Sequence, residues 1–123
     1  MATVDVRRLV KFRTMEALLV LQGILRPNTL VQIFGIKAAQ ASRVIAAYNK
    51  KRPDVIAYDK SKKVWFAKRG YAVTPEWWAR NNFIGGNEDP LSFLNAVIKV
   101  QGVTMNAVRS NSSPLTQAEL LGE

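Results

Sequence analysis

The chain has 123 residues, of which 18 are Lys or Arg and 9 are Asp or Glu, so its formal net charge is +9. This length suits one domain with room for an appendage. Cysteine and histidine are both absent, which excludes disulfides and thiolate metal sites and removes the commonest metal ligand and general base. No apolar run approaches the roughly 20 residues that span a bilayer. We therefore expect a cytoplasmic protein with no membrane contact, no metal or other cofactor, and no enzymatic activity.

The positive charge is concentrated in the first part of the chain. Residues 1–70 contain 15 Lys or Arg against 4 Asp or Glu, a net +11, whereas residues 71–123 contain 3 against 5, a net −2. A positive field on one half of a protein attracts a polyanion and speeds their encounter. On charge alone, DNA, RNA and anionic lipid all remain open as partners. The change in composition predicts a division of the chain at residue 70.

The first predicted element is a helix over residues 4–22. Its apolar residues cover more than one face, so we expect it to pack on two sides, against the following helix pair and against a second subunit. The alternative is a core helix of the monomer alone. The cations Arg7, Arg8 and Lys11 cluster on the remaining polar side, where they could contact phosphates or remain solvated.

Residues 28–52 predict two helices joined by a tight turn. Asn28 is a suitable N-cap for the first of them. Gly35 lies where a sharp turn requires a positive φ, which glycine adopts at little cost. The second helix is predicted over about residues 37–51.

The second helix of this pair has a small, flat outer face. At about 100° per residue, its inner side carries Ala38, Ala41, Val44, Ile45 and Tyr48. The outer side carries Ala39, Gln40, Ser42, Arg43, Ala46, Ala47 and Lys50. A helix that enters the major groove needs small residues for close approach and a few donors for base edges. The alternative is an ordinary amphipathic hairpin in a helical bundle.

Two short β-prone runs, residues 55–58 and 64–67, flank a turn-rich link and predict a β-hairpin. A hairpin directly after a recognition helix is the wing of a winged helix. The fold class is therefore mostly α (α+β), a winged helix-turn-helix with a two-stranded wing and additional C-terminal helices. The wing tip carries Lys60, Ser61, Lys62 and Lys63, which could reach the DNA backbone or the adjacent minor groove. The alternative for these lysines is a solvated turn that protects an edge strand.

Further helices are predicted after residue 70. Thr74 and Pro75 begin a short helix over residues 75–81, and Asp89 and Pro90 begin another that ends near Gly102. Residues 103–109 are ambiguous between strand and helix. A last short helix is predicted to begin at residues 113–114.

Apolar side chains of these helices are predicted to serve packing or dimerisation. Two adjacent Trp side chains cannot both enter one small core from one short helix, so either Trp77 or Trp78 should be partly exposed or buried in a partner. The next helix carries a stripe made of Leu91, Leu94, Val97, Ile98 and Gln101. Residues 71–123 are therefore predicted to form a helical extension that supplies the dimer contact.

Several of these residues match a known family pattern. The pattern comprises Leu30-Val31 before Phe34-Gly35-Ile36, then Gln40-Ala41-Ser42-Arg43, Tyr48 and Pro53, and finally Tyr58-Asp59 with Ser61 and Lys63. Over residues 7–70 the chain resembles the N-terminal winged helix-turn-helix domain of WYL-domain transcriptional repressors, of the type that controls bacterial phage-defence islands. The pattern is specific because it joins the helix pair and the wing in the same order.

The resemblance implies sequence-specific binding to operator DNA as a homodimer. Carried over, it places in the major groove the residues Ala38, Ala39, Gln40, Ser42 and Arg43. Arg43 would bind guanine through two hydrogen bonds and Gln40 would bind adenine in the same way, each pair being worth roughly 1–3 kcal/mol of discrimination.

Two features depart from the family pattern. Lys37 stands where the family usually has a capping Ser, which weakens the cap by about 1 kcal/mol, although a lysine there could contact phosphate. The chain also ends before a WYL domain could follow, and residues 71–123 contain no counterpart of that domain's ligand-sensing motif. We therefore expect a small stand-alone regulator, encoded by a phage or mobile element.

The sequence thus predicts a homodimeric repressor that occupies a palindromic operator. In the recognition helix the predicted contacts to double-stranded DNA are Lys37, Ala38, Ala39, Gln40, Ser42, Arg43 and Lys50. An alternative of another class is a phage- or mobile-element-encoded interaction protein that inhibits a host nucleic-acid-handling complex. It would use the winged helix as a scaffold, block the complex with its basic face, and contact it through Trp77, Trp78 and the acidic-leaning C-terminal part. A third possibility is a non-specific or RNA-binding module.

Overall fold

A computed structural model describes residues 6–68, 74–82, 84, 86 and 88–102 of the chain. Within these ranges the chain forms five helices and three strands in the order α1 (Val6–Gln22), β1 (Ile24–Leu25), α2 (Pro27–Phe34), α3 (Ala38–Lys51), β2 (Ile56–Asp59), β3 (Val64–Ala67), α4 (Pro75–Arg80) and α5 (Pro90–Gln101). This mostly helical arrangement with a small antiparallel sheet confirms the predicted winged helix fold. The predicted final helix and the ambiguous segment before it lie outside the described residues.

Helix α1 is the centre of the core. Every residue from Phe12 to Leu19 is buried, and the helix contacts α3, α4, α5 and β1. The stretch from Phe12 to Leu19 is therefore covered by the same chain, as in the monomer-core alternative, whereas Leu21 is 42% exposed. The contact of α1 with a second subunit stays a prediction. One hydrophobic cluster runs from α1 to α5, so the part of the chain after residue 70 packs directly against the part before it.

The first helix of the pair begins two residues earlier than an N-cap at Asn28 predicts. Arg26 occupies the N-cap position and Pro27 begins α2, so the prediction that Asn28 is the N-cap is wrong. The reason is that proline has no N–H to satisfy and its fixed φ suits the first helical position. Helix α2 ends at Gly35, whose φ of +63° confirms the predicted left-handed turn and whose N–H donates to the Val31 carbonyl at 2.9 Å.

Replacing Gly35 with alanine should lower the free energy of unfolding by about 1–2 kcal/mol, because a Cβ is disfavoured at this positive φ. No atom lies within 4 Å of the position that the new Cβ would take, so the cost comes from the backbone alone. Urea denaturation measures this change in the free energy of unfolding. Asparagine tolerates the left-handed region, so Gly35→Asn should cost less, and an equal loss for both variants would contradict the backbone explanation.

The predicted hairpin is present as β2 and β3, which form the wing. The two strands pair antiparallel with Tyr58 opposite Trp65. A third strand, β1, adds to its other edge by pairing Leu25 with Trp65 and Ile24 with Phe66. The sequence analysis missed this strand because two residues are too few to show an alternating pattern. Strand β1 ties the wing to the chain directly after α1.

The two later helices begin where their caps predict. The Thr74 hydroxyl oxygen accepts from the Trp77 N–H at 3.1 Å before α4, and the Asp89 carboxylate accepts from the Ser92 N–H at 2.8 Å before α5. The predicted stripe of α5 is only partly correct. Leu94, Val97 and Ile98 are buried, whereas Leu91 and Gln101 are exposed. In the first turn of α5 the buried position belongs to Pro90.

Both tryptophans of α4 are buried within the chain, at 6% exposure for Trp77 and 3% for Trp78, so the prediction that one of them is partly exposed or buried in a partner is wrong. They reach two different cations, because adjacent side chains diverge by about 100° around a helix. The Arg13 guanidinium carbon lies 3.1 Å from the ring centroid of Trp78, and that of Arg52 lies 5.2 Å from the ring of Trp77. Each arginine therefore covers one indole ring.

The same two arginines share a buried carboxylate. Glu16 Oε1 lies 3.3 Å from Arg13 Nη1, and Glu16 Oε2 lies 3.4 Å from Arg52 Nε and accepts from the Tyr48 hydroxyl at 2.8 Å. We call these four residues, Arg13, Glu16, Tyr48 and Arg52, the Glu16 cluster. Burial lowers the pKa of Arg13 and raises the pKa of Glu16, and the contact between the two side chains opposes both shifts.

The Glu16 cluster also binds the end of α4. Arg13 Nη2 donates to the Trp78 carbonyl and Arg52 Nη2 donates to the Asn81 carbonyl, both at 2.7 Å. Carbonyls at a helix C-terminus have no partner within the helix, so these two bonds satisfy groups that would otherwise be unpaired. The cluster thereby joins α1, the end of α3 and α4.

Candidate nucleic-acid interface

The outer face of α3 is exposed as the helical wheel predicts. The helix buries Ala41, Ile45 and Tyr48 on its inner side. Its exposed residues are Ala38, Ala39, Gln40, Ser42, Arg43, Ala46, Lys50 and Lys51, with Lys37 exposed directly before the helix. Two wheel positions differ. Ala38, which the wheel places on the inner side, is exposed because it is the first residue of α3, and Ala47, which the wheel places on the outer side, is half-buried against the core. The face offers little side-chain bulk around two long donors, Gln40 and Arg43.

The start of α3 has only half of a reciprocal cap. Gln40 Oε1 accepts from the Lys37 backbone N–H at 3.0 Å. The Lys37 side chain makes no capping bond in return, since an ammonium group has no acceptor. The weak cap expected at Lys37 is therefore present in the structure. To bind adenine through two hydrogen bonds, Gln40 must use both the oxygen and the nitrogen of its side-chain amide. The oxygen must then share or release the Lys37 N–H.

Cations of α1 lie beside the donors of α3. An open depression of about 270 Å³ between the two helices is lined by Arg8, Lys11, Gln40, Arg43 and Val44. The sequence analysis predicted the α1 and α3 residues separately, and the structure brings them to one surface. Arg7 lies at a neighbouring depression that it shares with Lys11 and Phe34, and the Lys11 ammonium is 5.4 Å from the Phe34 ring centroid.

Lys37 and Lys50 lie at opposite ends of α3. They are thirteen positions apart in the sequence, which corresponds to about 20 Å along a helix. The two cations therefore cannot contact the same base pair. Both are exposed, which suits contacts to phosphates at the two ends of a helix that lies in the groove.

The wing tip is an ordered turn built on Asp59. Asp59 Oδ1 accepts from the Ser61 N–H at 3.0 Å, the Ser61 hydroxyl at 2.7 Å and the Lys62 N–H at 3.1 Å. Lys63 donates its N–H to the Asp59 carbonyl at 2.7 Å and adopts a φ of +57°. Lys60, Ser61, Lys62 and Lys63 are all exposed, although the Ser61 hydroxyl is used within the turn.

Asp59 is the residue that the sequence analysis missed at this tip. An aspartate followed by a serine two positions later is typical of a turn in which the carboxylate accepts from the backbone, and that signal was present. The hydrogen bonds from Ser61 and from the Lys62 N–H lower the pKa of Asp59. The order that this carboxylate gives to the tip is therefore present above its ordinary pKa of 3.8 and lost as the pH falls through the lowered value.

Replacing Asp59 with alanine should weaken binding to every DNA sequence a few-fold, because the tip lysines then lose the turn that orders them. Asp59→Asn keeps an acceptor and should retain most of the affinity. Titration by fluorescence anisotropy measures both. In the wild type, NMR shifts of the Ser61 and Lys62 amides should titrate with a midpoint below 3.8, and a midpoint at or above that value would contradict the role of Asp59.

Within the described ranges, no helix combines the length and the apolar character that crossing a membrane requires.

No curated protein matches the chain. Residues 7–75 match the family model of the BrxR transcriptional regulator winged helix-turn-helix domain. The match spans more than half of the chain and runs from α1 through the helix pair and the wing to the start of α4. The chain therefore belongs to the BrxR winged helix-turn-helix family of DNA-binding transcriptional regulators.

Proposed function

We propose that the protein reads a specific double-stranded DNA sequence and represses transcription as a homodimer on a palindromic operator. The observation that carries the proposal is the exposed face of α3, where Gln40 and Arg43 share one surface with Arg8 and Lys11 of α1. Repression requires only that the dimer occupies a promoter, so no chemistry is assigned to any residue.

Helix α3 is the element proposed to enter the major groove. Ala38, Ala39 and Ser42 are small enough for a close approach of the helix backbone to the base edges. The Arg43 guanidinium can donate to O6 and N7 of guanine, and the Gln40 amide can bind N6 and N7 of adenine. These two residues therefore carry the proposed sequence preference.

Contacts to phosphate are proposed on both sides of α3. Arg7, Arg8 and Lys11 lie on the α1 side, and Lys60, Lys62 and Lys63 lie at the tip of the wing. Such contacts hold the protein in register and add affinity for any sequence, since every nucleotide carries the same charge.

Replacing Lys62 with alanine should weaken binding to all sequences alike and reduce the slope of log K against log salt by about 1, because one phosphate contact is lost. Fluorescence anisotropy at several salt concentrations measures the slope. Lys99→Ala removes the same charge from an exposed position near the end of α5 and is the matched control. A Lys62 slope equal to that of the control would place the wing tip away from the DNA.

A homodimer is proposed because a two-fold axis in the protein would match inverted half-sites about one helical turn, or a small multiple of it, apart. Leu91 is 48% exposed on α5 and is the predicted dimer residue that remains available for such a contact. Trp77, Trp78 and Leu94 are buried within the chain and serve packing instead. Sedimentation analysis gives the oligomeric state directly.

The alternative of an inhibitory interaction protein places its contact on Trp77, Trp78 and the acidic-leaning C-terminal part, and uses the basic face to block a nucleic-acid-handling complex. Both rings are covered by arginines of the same chain, so in this conformation neither is available to a partner. The DNA-reading function is therefore the one that we favour. A pull-down from host lysate with nuclease treatment separates the two, since only an inhibitor would retain a stoichiometric protein partner.

A further inference from the structure

The recognition helix is held at its C-terminal end by the Glu16 cluster. Tyr48 is a fully buried residue of α3, and Arg52 follows the helix and donates its N–H to the Tyr48 carbonyl at 2.9 Å. Both residues contact the Glu16 carboxylate of α1: the Tyr48 hydroxyl donates to Oε2, and Arg52 Nε forms an ion pair with the same oxygen. The end of α3 is therefore attached to α1 by polar bonds, in addition to the packing of the buried Ala41 and Ile45 on the core. The cap at its start, at Lys37, is only partial.

Helix α4 completes this attachment. Arg52 uses two different nitrogens, Nε toward Glu16 and Nη2 toward the Asn81 carbonyl, so it bridges α1 and the end of α4. Trp77 lies under the same guanidinium. The family match ends at residue 75, so the partners that α4 supplies lie beyond the matched domain.

We propose that α4 is a positioning element for DNA reading, and that Arg52 is the residue through which it holds α3 at the angle required for base contacts. This inference rests on the proposed function, because it assumes that α3 reads bases. It assigns no DNA contact to Arg52 or to α4.

The length of α3 explains why its attachment matters. The helix spans about 20 Å, so a tilt of about 3° at its C-terminal end moves its start by about 1 Å. Paired hydrogen bonds to a base edge do not tolerate a displacement of that size. Phosphate contacts made by flexible lysines do tolerate it. Loosening α3 should therefore reduce specific binding and leave non-specific binding nearly unchanged.

The test is Arg52→Lys, which keeps the charge but replaces the two nitrogens that contact Glu16 and the Asn81 carbonyl with a single one. We expect the ratio of the affinity for the operator, as identified by selection from a duplex library, to the affinity for bulk DNA to fall about tenfold. The slope of log K against log salt should stay unchanged. Lys51→Arg, a charge-conserving exchange at the exposed neighbouring position, is the matched control and should keep the wild-type ratio.

A second variant keeps the proposal testable if the Arg52→Lys protein does not fold. Thr74→Ala removes the cap of α4 without altering the Glu16 cluster or the outer face of α3, and should lower the same ratio a few-fold. Circular dichroism establishes that each variant is folded. Folded variants that keep the wild-type ratio would overturn the inference alone, whereas a wild-type protein without sequence preference would overturn the proposed function itself.

Discussion

Replacing Glu16 with alanine is expected to lower the free energy of unfolding by about 3–5 kcal/mol. Glu16 is fully buried and is the carboxylate between two guanidiniums. Its removal leaves Arg13, which is 1% exposed, without a counter-ion in the core, and leaves the Tyr48 hydroxyl without its acceptor. Urea denaturation at neutral pH measures the loss.

Glu88→Ala is the matched control for the Glu16 substitution. It removes the same charge from an exposed side chain and should change the free energy of unfolding by no more than about 0.5 kcal/mol. Tyr48→Phe should lie between the two, because it removes one hydrogen bond and leaves the carboxylate with both arginines. A Glu16→Ala protein as stable as the Glu88→Ala protein would show that the cluster does not hold the helices together.

Replacing Arg43 with alanine is expected to lower affinity for the operator by about 1–3 kcal/mol, which is a factor of roughly 5 to 150. Affinity for bulk DNA should change far less. The physical reason is that Arg43 is exposed on the outer face of α3 beside Gln40, where a guanidinium can bind a guanine edge through two hydrogen bonds. Competition titrations with operator and scrambled duplexes measure both affinities.

Arg80→Ala provides the control for the Arg43 substitution, since it removes an exposed arginine from the end of α4. Equal losses on operator and scrambled DNA for Arg43→Ala would reduce Arg43 to a phosphate contact. No loss on either would mean that α3 is not the helix that reads the sequence.

Elements with local signals could be predicted from the sequence. The caps at Thr74 and Asp89, the left-handed turn at Gly35 and the wing hairpin all depend on residues within a few positions of one another. The outer face of α3 also follows from helical periodicity, which explains why burial along the helix agrees with the helical wheel except at Ala38 and Ala47.

Long-range contacts could not be predicted in this way. Arg13 donates to the Trp78 carbonyl 65 positions later, and Tyr48 donates to Glu16 across 32 positions. No pattern near Trp77 or Trp78 indicates that arginines of distant helices cover both rings. This is why one tryptophan was predicted to be exposed and why the Glu16 cluster was not foreseen.

The candidate site likewise combines residues that local patterns predict with an arrangement that they do not predict. The residue types on α1, α3 and the wing tip could be chosen from charge and periodicity. That Arg8 and Lys11 share a surface with Gln40 and Arg43 depends on how α1 packs against α3, which no local pattern specifies.

The most direct test of the account is a selection of bound duplexes from a random DNA library at about 0.15 M salt. An inverted repeat should be enriched over competitor DNA, because the two recognition helices of a dimer read equivalent half-sites. Absence of enrichment, together with binding that disappears as the salt concentration rises, would contradict it and leave only a basic surface that attracts polyanions.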